Sequence, residues 1–204
     1  DFCLSRGLGD VYKRQGYTTG ISFVTYYTSG VRKFIFHLRH SAAGQLSPED
    51  IEEEFIADSE LLHIMGSSLA ISESSQRACY KAVDIAKDSN LMITFDPNLR
   101  PELIDAETIR KVCEPILKVS RVVLLSKNEA AILTGTQDPV RAGERLIEMG
   151  PEMAVLKMGD KGAVAVTEEE TFFEPPFEVS EVDPTGAGDV YDAAFLYGLT
   201  NKWS

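Results

Sequence analysis

From Gly16 onward the hydrophobic and polar positions follow recognisable periods. The runs ISFVTYYT and KFIFHL are rich in β-branched and aromatic residues and are separated by Ser29-Gly30, which predicts a hairpin and a small sheet within residues 16–46, outside the main one. Ser47-Pro48-Glu49-Asp50 predicts a helix start, with Ser47 as N-cap and Pro48 in the first helical position. The chain then alternates. LLHIMG reads as a strand, Ser72 to Asp88 as a helix, LMITFD as a strand, and a helix follows from about Asp105, with Pro115 expected to break it. VVLLS is the next strand, two helical segments cross Asn128 to Met149, and MAVLKMG is a strand again. Short continuous apolar runs between amphipathic stretches are the pattern of βαβ units around a buried, mostly parallel sheet, so the fold class is α/β. After Gly162, AVAVT and TFFEPPFEV read as strands joined by a solvated acidic turn, Glu168-Glu169-Glu170. Residues 1–15 fit neither period and predict an unstructured or artefactual segment ahead of one main domain, 16–204.

Composition narrows the functions open to this chain. Its 204 residues are 44% hydrophobic and 25% charged, the range of an ordinary globular domain. With 20 Lys+Arg against 32 Asp+Glu there is no broad basic field for nucleic acid or an anionic membrane, so any phosphate must be bound locally. Cys3, Cys79 and Cys113 are widely spaced, without a C-x-x-C pair or zinc spacing, which points to a reduced, cytoplasmic setting without a structural metal. No apolar run approaches the roughly 18 residues of a membrane span.

The stretch VDPTGAGDVYDAAFLYGL carries the candidate chemistry. A helix N-terminus offers N–H groups and a positive partial charge, and glycines remove the Cβ atoms that would hold an anion away. Gly186, Ala187 and Gly188 would make such a cradle, with Asp189 beside it to take a proton from an attacking hydroxyl. The competing reading makes Thr185 an N-cap and Asp189 a partner of the helix dipole. Neither G-x-x-x-x-G-K-[ST] nor a complete G-x-G-x-x-G is present, since Tyr191 stands in the last place of the latter. FDPNLR ends a strand, and ligands of open α/β sheets gather beyond the carboxyl ends of strands, so Asp96, Asn98 and Arg100 are further candidates.

DPTGAGDVYDAAFLYGL resembles the C-terminal signature of the ribokinase-like (PfkB) carbohydrate kinases, and the likeness extends through FDPNLRPEL, LLSKNEAAIL and VLKMGDKGA. The resemblance implies a three-layer fold with a small β-sheet lid, Asp189 as catalytic base, Gly186, Ala187 and Gly188 as anion hole, and Asp183 with Thr185 beside a monovalent cation. It also implies ATP and Mg²⁺, extending to K⁺, with Asn128, Lys157, Gly159 and Gly162 on the nucleotide side and a homo-oligomer formed through the lid sheet. Where the family carries Asn-x-x-Glu, this chain has Asn128 and then Ala131, with Glu129 as the nearby acid. KFIFHLRHSAAGQL resembles the 2-keto-3-deoxygluconate kinases, which places His37 and Arg39 near a sugar acid; Arg39 and Arg100 together would suit a carboxylate. His40 and His63 read as ordinary turn and strand residues. The expectation is therefore an ATP-dependent kinase of a small sugar or sugar acid, 2-keto-3-deoxygluconate first and fructose or another neutral sugar second, against a non-catalytic sugar or nucleotide sensor. The family pattern further implies a domain truncated at both ends, lacking a strand and glycine-rich segment before Gly16 and helices after Ser204, and inactive alone.

Overall fold

The computed structural model describes residues 16–26, 32–100, 103–180 and 182–203. Strand β1 (Ile21–Tyr26) pairs antiparallel with β2 (Arg32–His37), Ile21 opposite His37 and Phe23 opposite Ile35. The expected Ser29-Gly30 turn lies outside the described residues, as does the segment 1–15. Along β2 the alternation is that of a half-covered strand: Lys33, Ile35 and His37 are exposed, while Phe34 and Phe36 are partly buried with their rings stacked at 5.7 Å.

Ser47 does start a turn, though a shorter one than expected. Its N–H and hydroxyl both donate to Asp50 Oδ2 at 2.8 Å, and the resulting 3₁₀ turn covers only Pro48–Asp50 before α1 (Glu53–Ala57). Lys81 holds this connection by donating to the carbonyls of Pro48 and Ile51 at 2.7 and 3.1 Å.

The alternating region follows as β3 (Leu61–Met65), α2 (Gly66–Ile71), α3 (Glu73–Asp88), β4 (Met92–Asp96), α4 (Ala106–Leu117), β5 (Val122–Ser126), α5 (Lys127–Thr134), α6 (Pro139–Glu148) and β6 (Met153–Lys157). Two further strands, β7 (Ala163–Val166) and β8 (Thr171–Glu174), precede α7 (Ala187–Thr200). Helix starts are marked by capping side chains: Ser72, Asp105 and Asp138 each accept from a first-turn N–H. Helix α4 runs through Pro115 instead of breaking there. The proline falls in the last turn, where its missing N–H costs one hydrogen bond to an exposed segment. The TFFEPPFEV run pairs only over Thr171–Glu174, because Pro175 and Pro176 cannot donate to the ladder.

The six strands lie in the order β3-β4-β5-β6-β7-β8, parallel from β3 to β6 and antiparallel beyond. Strands added in sequence order by crossovers of one hand put every crossover helix on one face. There Phe95, Val123, Leu125 and Leu156 pack with Ile109, Ile116, Leu133 and Leu146 into the main core. The opposite face carries Val122, Leu124 and Val155, covered by Tyr191, Phe195, Leu196 and Leu199 of α7. This α/β arrangement of three layers, with the mostly parallel sheet in the middle and the small antiparallel sheet apart, agrees with the sequence expectation. No helix among the described residues is long and apolar enough to cross a membrane.

Candidate active site

Side chains alternate across a strand, so residues two positions beyond those facing α7 face it too. Asp96 follows Thr94 at the end of β4, and Lys157 follows Val155 at the end of β6. Both are directed at α7, whose only buried residue is Asp192. Lys157 Nζ donates to Asp192 Oδ1 and Oδ2 at 2.8 and 2.9 Å and to Asp96 Oδ2 at 3.2 Å. The side chains of Asp96, Asp192 and Lys157 are 6%, 5% and 16% exposed, so this bridge is shielded from water and far from the weak surface kind. Asp96 Oδ1 accepts in turn from Asn98 N–H at 2.8 Å.

The order of these charges shows in their protonation. Burial, reinforced by the Asp192 carboxylate, pushes Asp96 up to about 6 despite the adjacent ammonium. Burial alone would lower Lys157, but Asp96 and Asp192 outweigh it and hold its pKa above the ordinary value. His63, on β3 with Nδ1 2.9 Å from Thr94 Oγ1, is lowered by burial. A carboxyl whose folded-state pKa exceeds its unfolded one keeps a proton that the unfolded chain has released. Stability from Asp96 is therefore greatest below its ordinary 3.8 and falls as pH rises to about 6. His63 acts in the opposite sense, since acidification charges the unfolded chain first. Asp96→Asn is expected to remove the downward slope between those two pH values in a series of urea unfolding curves; an unchanged slope would assign the effect to other groups.

Beside the bridge lies the glycine turn. Asp183 Oδ1 accepts from Thr185 N–H at 2.9 Å, and the chain enters α7 through Gly186 at φ +82°, a left-handed conformation that favours glycine. Gly186, not Thr185, is the N-cap, and no side chain caps the helix there. Ala187 N–H donates back to the Pro184 carbonyl at 3.1 Å, and the N–H groups of Gly188 and Asp189 have no acceptor within the helix. Gly188 is a different case: its φ is ordinary, and a Cβ added there would meet only Lys157 Nζ, at 3.8 Å. The fold leaves room for a side chain at position 188, so packing does not demand a glycine there. Asp189 is exposed in the first turn of the same helix.

The scan against protein families matches residues 9–204 to the pfkB family carbohydrate kinases. The chain belongs to that family. Among curated relatives, the 2-dehydro-3-deoxygluconokinase of Thermoproteus tenax is 32% identical over 185 residues, covering 89% of this chain and 56% of that protein. A protein named as probable fructokinase-4 of Arabidopsis thaliana is 32% identical over 184 residues, with the same two shares, 89% and 56%. The pfkB chain thus spans a little over half the length of the relatives it matches. Among solved structures, an E. coli protein assigned as a ribokinase II, in complex with ATP and Mg²⁺, superposes with a TM-score of 0.79 at 36% identity, over 89% of this chain and 57% of that one.

The remaining sequence candidates fall in three places. Asn98, at φ +38°, is buried, and its Oδ1 has no hydrogen-bond partner among the described residues. Arg100 donates to the Leu99 carbonyl at 3.2 Å and lays its guanidinium 5.7 Å from the centre of the Phe34 ring, so the loop after β4 touches the small sheet. His37 ends β2 edge-on to Phe23, and Arg39 is exposed in the turn that follows. Asn128 is exposed in the first turn of α5. Gly159 and Gly162 bound a 3₁₀ turn after β6, and a Cβ on Gly162 would lie 2.0 Å from the Glu174 carbonyl oxygen, so packing alone demands that glycine.

Two candidates are engaged within the fold. Lys157, expected on the nucleotide side, has its ammonium bonded to two buried carboxylates. Asp96, assigned to substrate, is itself buried with both oxygens engaged. Two residues went unnoticed or undervalued. Asp192 interrupts an apolar helical stripe, and a buried acid there requires a buried cation, which the lysine at the end of β6 supplies. Glu129 accepts from Ser126 N–H and Oγ–H at 2.7 and 2.6 Å and from Leu99 N–H at 2.7 Å, tying α5 to the loop after β4. Both oxygens of Glu129 are used, and Ala131, three residues on from Asn128, stands where the family carries its glutamate; among the described residues no group of three or more His, Cys, Asp or Glu is poised for a metal.

Proposed function

We propose that this pfkB protein, in its full-length form, phosphorylates a small sugar acid with ATP, 2-keto-3-deoxygluconate before any neutral sugar. The observation that carries the reading is Gly188: the fold has room for a side chain there, and a transferred phosphoryl group is what needs the room. The N–H groups around Gly186, Ala187 and Gly188 would take the equatorial oxygens of that group, aided by the dipole of α7. Asp189 would accept the proton of the attacking sugar hydroxyl while its oxygen bonds to the γ-phosphorus and the bond to ADP breaks. Asn128, Gly159 and Gly162 would lie on the nucleotide side, and Asp183 with Thr185 beside a monovalent cation. Mg²⁺, carried by the ATP phosphates, would neutralise part of their charge. A protein of this family would work in the cytoplasm, with a homo-oligomer formed through the small sheet.

The sugar-acid assignment rests on three groups. Arg100, in the loop after β4, lies against Phe34 of the small sheet, Arg39 is exposed in the turn after β2, and a guanidinium can grip a carboxylate with two parallel hydrogen bonds. His37 ends β2, the strand that carries Phe34. The unpartnered Asn98 Oδ1 is a buried acceptor that a sugar hydroxyl would satisfy. The relative from Thermoproteus tenax bears the name of a kinase for this same compound under its synonym 2-dehydro-3-deoxygluconate. The full-length protein is expected to show a higher kcat/KM for 2-keto-3-deoxygluconate than for fructose or ribose. Arg100→Lys should erode that preference by about 10–100-fold, the worth of a lost charge-assisted hydrogen bond. Equal or better turnover of the neutral sugars would overturn the acid assignment and favour a fructokinase.

A further inference from the structure

The first turn of α7 poses a mechanical problem. Its N-cap is a glycine without a capping side chain, Ala187, Gly188, Asp189 and Val190 are all exposed, and the apolar contacts of the helix with the sheet begin only at Tyr191. Apolar packing is non-directional and tolerates sliding or rotation of a helix more readily than a bidentate ion pair does. Yet a base and an anion cradle must hold their places to fractions of an ångström for proton and phosphoryl transfer.

The bridge beneath the turn supplies what the packing lacks. Asp192 lies one turn beyond Asp189, and both its oxygens are held by Lys157, whose Nζ also reaches Asp96. Lys157 is fixed to β6 and Asp96 to β4, while Asp96 is anchored by Asn98 N–H. The ammonium therefore joins the helix to the ends of two sheet strands, directly under Gly188, 3.8 Å from where a Cβ would be. We propose that Lys157 and Asp192 are positioning residues, whose buried bridge to Asp96 fixes the rotation and depth of the first turn of α7 and thereby the places of Asp189 and the glycine turn. Neither touches the reacting atoms. The consequence for catalysis rests on the kinase reading above; the mechanical consequence does not.

Removing one charge alone would leave its partner buried and unpaired and could unfold the protein for that reason. The informative variant is Lys157→Met with Asp192→Leu in an Asp96→Asn background, which replaces the ion pair by apolar side chains of similar size and leaves no unpaired charge at Asp96. In hydrogen exchange on the full-length protein, the amides that close the first turn, starting with Val190 N–H to the Gly186 carbonyl at 2.9 Å, should exchange at least about tenfold faster than in wild type. Amides of β4, β5 and α3 should keep their rates. In turnover assays the same variant should lose about 30-fold or more in kcat with KM for sugar and ATP within about threefold, the split expected when bound substrates meet a misplaced base. Reintroducing Lys157 and Asp192 together should restore both readouts, and neither residue alone should. First-turn exchange within about twofold of wild type in a folded triple variant would overturn the proposal, as would uniform acceleration across the whole chain, which marks general destabilisation. A wild-type protein without kinase activity would remove the function proposed above, and the exchange measurement would still decide this one.

Discussion

Asp189→Asn in the full-length protein is expected to lower kcat by about 10²–10⁴, the usual worth of a positioned general base, with ATP affinity within a few-fold of wild type. The amide keeps the shape of the carboxylate and loses its basicity. Asp189 is exposed in the first turn of α7, and among the described residues no hydrogen bond or ion pair commits it to the fold, so its loss should leave folding unaffected. The comparison is steady-state turnover beside isothermal titration with ATP. Transfer persisting within about tenfold of wild type would take Asp189 out of the mechanism.

Gly188→Ala is expected to separate function from fold more sharply. A glycine inside a helix is less favourable than alanine by roughly 0.5–1 kcal/mol, and the added Cβ would meet only the Lys157 ammonium at ordinary contact distance. Thermal unfolding should therefore be unchanged or slightly raised. On the proposed mechanism turnover should fall by about 10²–10³, the scale of losing a donor to the developing charge, because the methyl group would crowd an anion held on the turn. Gly186→Ala makes the control: at φ +82° it strains the backbone and should lower stability as well as rate. A Gly188→Ala protein with wild-type turnover would mean that no anion sits on the turn.

The elements of this fold were legible wherever periodicity and capping chemistry agreed. The apolar runs of β3 to β6 and the amphipathic stretches starting near Ser72 and Asp105 placed strands and helices within a few residues, because a parallel strand buried on both faces has few alternatives. Pro115 and Ser47 show where local signals lose to context. A proline in the last turn of a helix gives up little, and a capping box can close a single 3₁₀ turn as well as a longer helix. In the site, the glycine turn and Asp189 stood out because two glycines and an acid open an apolar helix in the order of the family signature. The Asp96–Lys157–Asp192 bridge did not, since Lys157 lies 61 residues from one partner and 35 from the other and each member looks ordinary alone. The available signal was a pattern of three charged residues at positions whose neighbours on the same face are apolar, two at strand ends and one in a helical stripe. Glu129 was visible as an acid, but its role in holding the loop after β4 depends on a contact with Leu99 that no local pattern encodes.

The measurement that bears most directly on the kinase reading is sugar-dependent release of ADP by the full-length protein. With Mg-ATP and 2-keto-3-deoxygluconate, ADP should appear in step with phosphorylated sugar, and Asp189→Asn should abolish both. Binding of ATP and of the sugar acid in thermal-shift assays, with no ADP released for any sugar, would contradict the account and make the protein a sensor built on a kinase fold.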